Sequence, residues 1–213
     1  MSGVQQGATI LVLAKAPVAG QAKTRLTPPY TPEEAAELAA AALVDTLDAV
    51  VRAPAARRVL VLDGEPGPWL PAGFEVVPQG PGGLDARIAA AFAASTGPAL
   101  LIGMDTPQVT PALLDISWDD AYDAWLGPAV DGGWWALGLR EPDAQLILGV
   151  PMSTSWTGAA TRARLTGAGL RVGDLPMLRD VDDAVAASAV AREAPSTRFA
   201  GRLEELCAAV STR

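Results

Sequence analysis

"ATILVLAKAPVAGQAKTRLTPPYTPEEAAELAAAALVDTLDAVV", residues 8–51, is the stretch from which the fold class follows. Its first seven residues, "ATILVLA" (8–14), are a short β-rich apolar run without polar alternation, as in a strand buried on both faces. Thr31, Pro32 and Glu34 stand in the N-cap, N1 and N3 order of a capping box, so a long helix is predicted over 31–51. A buried strand leading through a loop into a helix is the first half of a β–α–β unit. The alternation continues outward. Strands are predicted at 57–64, 73–79 and 98–107, helices at 82–95 and from 110 to 115. "AYDAWLGP" and "GWWALGL" flank the turn "AVDGG"; a helix over 153–169, a strand in "LRVGDLP" and a closing helix over 196–210 complete the chain. Strands separated by crossover helices imply a mostly parallel sheet covered on both faces, one α/β domain over 1–213 without a linker to divide it.

Composition limits the chemistry. Half of the 213 residues are hydrophobic, 19% are charged and the net charge is −8, which fits a globular chain and disfavours nucleic acid or an anionic membrane as partner. No apolar run reaches the roughly 18 residues of a membrane span, and "MSGVQQGAT" lacks the regions of a signal peptide, so a cytoplasmic location is expected. With no histidine and only Cys207, internal disulfides, Cys/His zinc sites and histidine-based triads are excluded. Cys207, at helical spacing with Leu203 and Leu206, reads as a packing residue.

Lys15 and Lys23 are the only lysines, and both fall in the loop after the first strand, with Arg25 beside them. A Pro/Gly-containing connection between a buried strand and a helix suits an anion, and lysine offers phosphate a compact point charge. The spacing is not a Walker A motif. Ala14, Pro17 and Gly20 are the accompanying loop positions expected against a nucleotide. Asp105, in "GMDTP" at the tip of the fourth strand, is placed to hold Mg²⁺ or Mn²⁺ or to form a plain turn. In "LRDVDD", Asp180 and Asp182 alternate along an extended segment and share a side, whereas Asp183 points away toward a helix cap. Lysines that attract phosphate and carboxylates that hold a divalent ion are complementary halves of a polyphosphate site.

Two further segments read either as site or as turn. "VDGGWW" supplies Asp131, Gly132 and Gly133, with Trp134 and Trp135 on opposite faces of the next strand. "QGPGGLDAR" offers Gln79, Gly80 and Arg87 to a nucleotide or forms a loop into a helix.

"LAKAPVAGQAKTRL", "LIGMDTPQVTPALL", "LGPAVDGGWWALGL" and "LRDVDD" together resemble a bacterial family of the GT-A glycosyltransferase superfamily, some of whose members are described as arsenosugar-biosynthesis glycosyltransferases. The motifs appear in family order from about residue 9 to 185. The first and last also resemble guanylyltransferases that act on phospholactate or phosphoenolpyruvate. The resemblance implies a single-domain, Rossmann-like GT-A sandwich of three layers. It assigns phosphate binding to Lys15, Lys23 and Arg25, and Mg²⁺ to Asp105, Asp180 and Asp182. Departures from the pattern are Asp85 in place of glycine, Trp134 in place of tyrosine, and Asp183-Ala184 in place of Thr-Pro. The expected activity is nucleotidyl transfer from a nucleoside triphosphate to a small phosphorylated or carboxylated acceptor, with pyrophosphate leaving against the basic loop. The alternatives are glycosyl transfer from a nucleotide-diphospho-sugar, and nucleotide binding without turnover.

Overall fold

In the computed structural model, which describes residues 7–119 and 121–211, the first strand sets the plan. β1 (Thr9–Lys15) pairs in parallel with β2 (Arg57–Asp63) on one side and β4 (Ala99–Gly103) on the other. β3 (Glu75–Pro78) extends the sheet beyond β2, also in parallel. Beyond β4, β6 (Trp134–Leu139) runs antiparallel to both β4 and β5 (Ala124–Pro128), and β7 (Val172–Asp174) closes the edge parallel to β5. The order is β3-β2-β1-β4-β6-β5-β7, a mostly parallel sheet with one reversed strand.

Apolar residues on successive positions of the strands feed two cores, because alternate side chains leave opposite faces of the sheet. Ile10, Val12, Leu60 and Ile102 face α1 (Pro32–Arg52) and meet its Leu43 and Leu47. Leu11, Val61 and Leu101 face α2 (Leu84–Ala93) and α4 (Thr157–Gly167) through Ile88, Phe92 and Leu165. Truncating such a fully buried leucine to alanine costs about 2–5 kcal/mol. A further group of helices, α5 (Ala184–Glu193) and α6 (Arg198–Ser211), packs on α1 through Leu38, Val190, Phe199 and Leu203.

Local chemistry fixes the helix starts. Thr31 Oγ1 accepts from Glu34 N at 3.2 Å while Thr31 N donates to the Glu34 carboxylate at 2.9 Å, closing the expected capping box. Asp45, buried on α1, accepts from Arg198 N at 3.1 Å and Phe199 N at 2.9 Å and so ties down the first turn of α6. Burial raises the Asp45 carboxyl above its ordinary value, outweighing those two hydrogen bonds. Asp183 caps α5 by accepting from Ala186 N at 2.8 Å.

Several boundaries differ from the sequence reading. The segment from 110 forms only one turn, α3 (Pro111–Leu114). α4 starts at Thr157 and not at 153, because Ser153 takes a left-handed φ of 57° and Thr154 N bonds Thr157 Oγ1 at 3.1 Å. Cys207 is exposed on α6 with Sγ 3.6 Å from the Tyr30 hydroxyl, while its neighbours Leu203 and Leu206 are the buried ones. Among the described residues, no helix is long and apolar enough to cross a membrane.

Candidate functional site

β1, β2, β3 and β4 all end at one edge of the sheet, and β6, running the other way, begins there. Their termini surround a cavity of about 500 Å³, bordered by Lys15, Asp63, Gln79, Asp105, Trp134 and Asp180. The carboxyl edge of an open α/β sheet is where such folds place ligands.

The lysine loop leaves this edge in a compact form. Ala16 N bonds Asp63 O at 2.8 Å, the buried Ala22 and Leu26 anchor the loop, and a 3-10 turn over Thr24–Leu26 leads toward α1. Lys23 adopts a left-handed φ of 52°, a conformation uncommon for a side chain of its size. Its side chain is 9% exposed, and Nζ lies 2.8 Å from Asp105 Oδ1 and 3.7 Å from Asp182 Oδ1 while donating to Val181 O. Lys15 has no ion pair among the described residues and borders both the main cavity and a smaller hollow of about 250 Å³. Arg25 lines that hollow too, largely exposed, with Nη1 4.0 Å from Asp182 Oδ2.

Two backbone links draw the acidic segments together: Val181 N bonds Asp105 O at 2.9 Å, and Gln108 Nε2 donates to Arg179 O at 2.7 Å. Asp180 and Asp182 thereby border the same cavity as Asp105 and Asp131. The Asp180 carboxyl is raised to about 7, first by burial and then by Asp105, Asp131 and Asp182, with Lys23 opposing. Carboxylates outnumber the single ammonium among them, and an all-oxygen donor set of this kind suits a hard divalent ion. As placed, no three acidic side chains among the described residues are gathered closely enough to ligate one ion.

Gln79 and Arg87 line the cavity, but the Gln79 amide is committed. Its Nε2 donates to Ala14 O at 2.7 Å and to Val61 O at 3.2 Å, while Oε1 accepts from Arg87 Nη1 at 3.0 Å. Arg87 also lies 4.0 Å from Asp63. Asp131 forms an Asx-type turn, accepting from Gly133 N at 2.8 Å. Trp134 borders the cavity with Nε1 on Thr161 Oγ1 at 3.1 Å, and Trp135 is buried on the opposite face with Nε1 on Pro176 O at 2.9 Å. Ala14 and Gly133 border the cavity as well. Pro17, Gly20, Gly80 and Gly132 do not border it. Gly132 instead permits a close approach: at φ 90°, an added Cβ would meet Ser155 O at 1.9 Å. Asp85 is a clip between elements, with Oδ2 accepting from Gly149 N at 3.0 Å.

Asp63, Met152, Ser153, Thr154 and Thr157 also border the cavity without having been singled out in the sequence. Asp63 carried the same signal as Asp105, an aspartate immediately after an apolar strand. The Ser/Thr group carried none, since "STSW" reads as the start of a helix.

A family model described as "Uncharacterized protein conserved in bacteria (DUF2064)" matches residues 37–154. The chain belongs to the DUF2064 family. The matched span takes in Asp63, Asp105 and the Asp131 turn, and leaves the lysine loop and Asp180–Asp182 on either side. No curated protein matches the DUF2064 chain. Among solved structures, it is similar to a "putative nucleotide-diphospho-sugar transferase" from Desulfovibrio desulfuricans G20, with 23% identity over 96% of this chain and 97% of that one, at a TM-score of 0.85. It is similar in fold to the 2-C-methyl-D-erythritol 4-phosphate cytidylyltransferase of Thermus thermophilus (16% identity, 90% and 100% covered, TM-score 0.54). A third neighbour is Rv0371c of Mycobacterium tuberculosis H37Rv in complex with manganese (21% identity, 87% and 97% covered, TM-score 0.53).

Proposed function

We propose that this DUF2064 protein is a divalent-metal-dependent transferase that takes its transferred group from a nucleotide. The observation that carries the reading is the opposition of Lys15 to Asp105, Asp180 and Asp182 around one cavity at the carboxyl edge of the sheet, with Lys23 paired to Asp105 and Asp182 in the adjoining hollow. Asp105, Asp180 and Asp182 would hold the ion, which when bound neutralises polyphosphate charge beside the carboxylates. Lys15 and Arg25 offer the phosphates direct positive charge, and the committed Gln79 amide keeps Arg87 at the cavity wall. Such chemistry depends on positioning and charge stabilisation and requires no histidine.

Nucleotidyl transfer is the first reading, because three cations on one loop suit a triphosphate and its pyrophosphate leaving group. Glycosyl transfer is the second, favoured by the Ser/Thr and Trp134 wall that faces the acidic cluster. The names of the structural neighbours support nucleotide use in either form. Calorimetry with nucleoside triphosphates and nucleotide-sugars, with and without Mg²⁺, tests the shared premise. Metal-dependent binding, weakened at least about tenfold in Asp105→Ala, is expected; metal-independent binding, or none, refutes it. Release of pyrophosphate or of nucleoside diphosphate then separates the two reactions.

A further inference from the structure

The cavity is divided by charge along the strand order. On the β1, β2 and β3 side of β4 its wall carries Lys15 and Arg87 against one carboxylate, Asp63, which lies 4.0 Å from Arg87. On the β6 side it carries Asp131, Trp134, Met152, Ser153, Thr154 and Thr157, with Asp180 and Asp182 beyond, and no lysine or arginine. Lys23 stands at the boundary, already committed to Asp105 and Asp182. Two arginines past β4 are engaged with other carboxylates: Arg162 with Asp174, and Arg179 with Glu193 at 3.4 Å. A nucleotide's phosphates belong on the cationic side, which leaves the β6 side for the acceptor.

We infer that the acceptor is a neutral, hydroxyl-bearing molecule with an apolar face, in place of the phosphorylated or carboxylated acceptor expected from the sequence. The inference rests on the proposed transferase reading. An anion entering the β6 side would meet the Asp131 carboxylate and no lysine or arginine to replace the hydration it loses, since the ion on Asp105, Asp180 and Asp182 is taken up by the nucleotide's phosphates. A neutral acceptor finds three hydroxyl groups that donate and accept, together with an indole and a thioether for its apolar face. The apolar character continues outward. Val130, Trp156 and Met177 are 47%, 54% and 61% exposed. They stand on segments joined around the Asp131 turn by Val130 N to Leu178 O at 3.0 Å and Gly158 N to Gly132 O at 2.9 Å. A hydroxyl acceptor must also shed its proton as its oxygen bonds to the transferred group and the bond to the leaving group breaks. Asp131, not needed for the ion, is the carboxylate on that side to receive it.

Phenyl β-D-glucopyranoside and phenyl β-D-glucuronide differ by one carboxylate and are suitable probes. Their binding to the wild type and to Ser153→Lys would be measured by saturation-transfer NMR with competition, Mg²⁺ present, and nucleotide binding checked by calorimetry on the same samples. The glucoside is expected to bind the wild type at least about tenfold more tightly, equivalent to about 1.4 kcal/mol. Ser153→Lys, which adds a cation at an exposed position of that wall, is expected to narrow the ratio at least fivefold. A glucuronide that binds the wild type as well as the glucoside, failure of both to bind, or an unchanged ratio in Ser153→Lys overturns the inference. With nucleotide binding intact, each of those results leaves the transferase reading standing; loss of metal-dependent nucleotide binding removes that reading instead.

Discussion

Replacing Lys23 by methionine keeps the length of the side chain and removes its charge. In the folded protein Nζ sits 2.8 Å from Asp105 and 3.7 Å from Asp182 with only 9% of the side chain exposed, so the substitution leaves Asp105 and the buried Asp180 without their nearby ammonium and Asp182 with only the largely exposed Arg25 at 4.0 Å. Breaking a fully buried pair costs about 3–5 kcal/mol. Asp105 and Asp182 are 40% and 42% exposed, and water screens much of their repulsion, which reduces the expected loss to about 1–2 kcal/mol. Urea unfolding in chelator should therefore place Lys23→Met below the wild type by that amount, with an unchanged m-value. Adding Mg²⁺ should shrink the difference, because an ion that binds only the folded state stabilises it by mass action and has more to neutralise in the variant. Equal stability of the two proteins in chelator would refute the reasoning. So would a difference that Mg²⁺ leaves unchanged, since the acidic group would then have no affinity for the ion.

Two further outcomes follow from the fold. Gly132→Ala places a methyl 1.9 Å from Ser155 O at a φ of 90°, so the Ser153–Trp156 segment must move and the protein should lose about 2–4 kcal/mol by thermal unfolding; a loss under 0.5 kcal/mol would show that the turn relaxes freely. Asp45→Ala leaves the amides of Arg198 and Phe199 without their acceptor and should cost about 1–3 kcal/mol, read by urea unfolding. Because burial raises the Asp45 carboxyl above its ordinary 3.8, the folded protein holds that proton more tightly than the unfolded chain. Its contribution therefore falls as pH rises through the window just above 3.8, and Asp45→Asn should remove that part of the slope; an unchanged slope argues against it.

The legible parts of the sequence were those in which one physical signal acted alone. "ATILVLA" is apolar from Ile10 to Ala14 because β1 lies between two parallel strands and is covered on both faces. Thr31, Pro32 and Glu34 encode a cap locally, and the structure forms that cap. The clustering of Lys15, Lys23, Asp105, Asp180 and Asp182 was foreseeable because ligands gather at strand ends, and strand ends can be read from apolar runs. The direction of β6 was not stated by its residues, since alternation is the same in both directions; the pairing with β4 and β5 fixed it. Ser153, Thr154 and Thr157 were hidden because a helix start and a cavity wall use the same small polar residues. Lys23 was expected to face phosphate, and its commitment to Asp105 and Val181 O depends on a left-handed backbone that no pattern of residue types announces.

The reversed strand β6 has a consequence for how this family can change. β1, β2 and β4 deliver Lys15, Asp63 and Asp105 as the chain leaves the sheet at their carboxyl ends. β6 delivers Trp134 as the chain returns from a five-residue hairpin tip, Ala129–Gly133, whose ends are already fixed by pairing with β5. A residue gained or lost at that tip alters one wall of the cavity and leaves the strand order, the lysine loop and the acidic segment in register. On the proposed reading, donor handling and acceptor choice would thus be set by separate pieces of chain. One can drift by loop exchange while the other is held by the sheet.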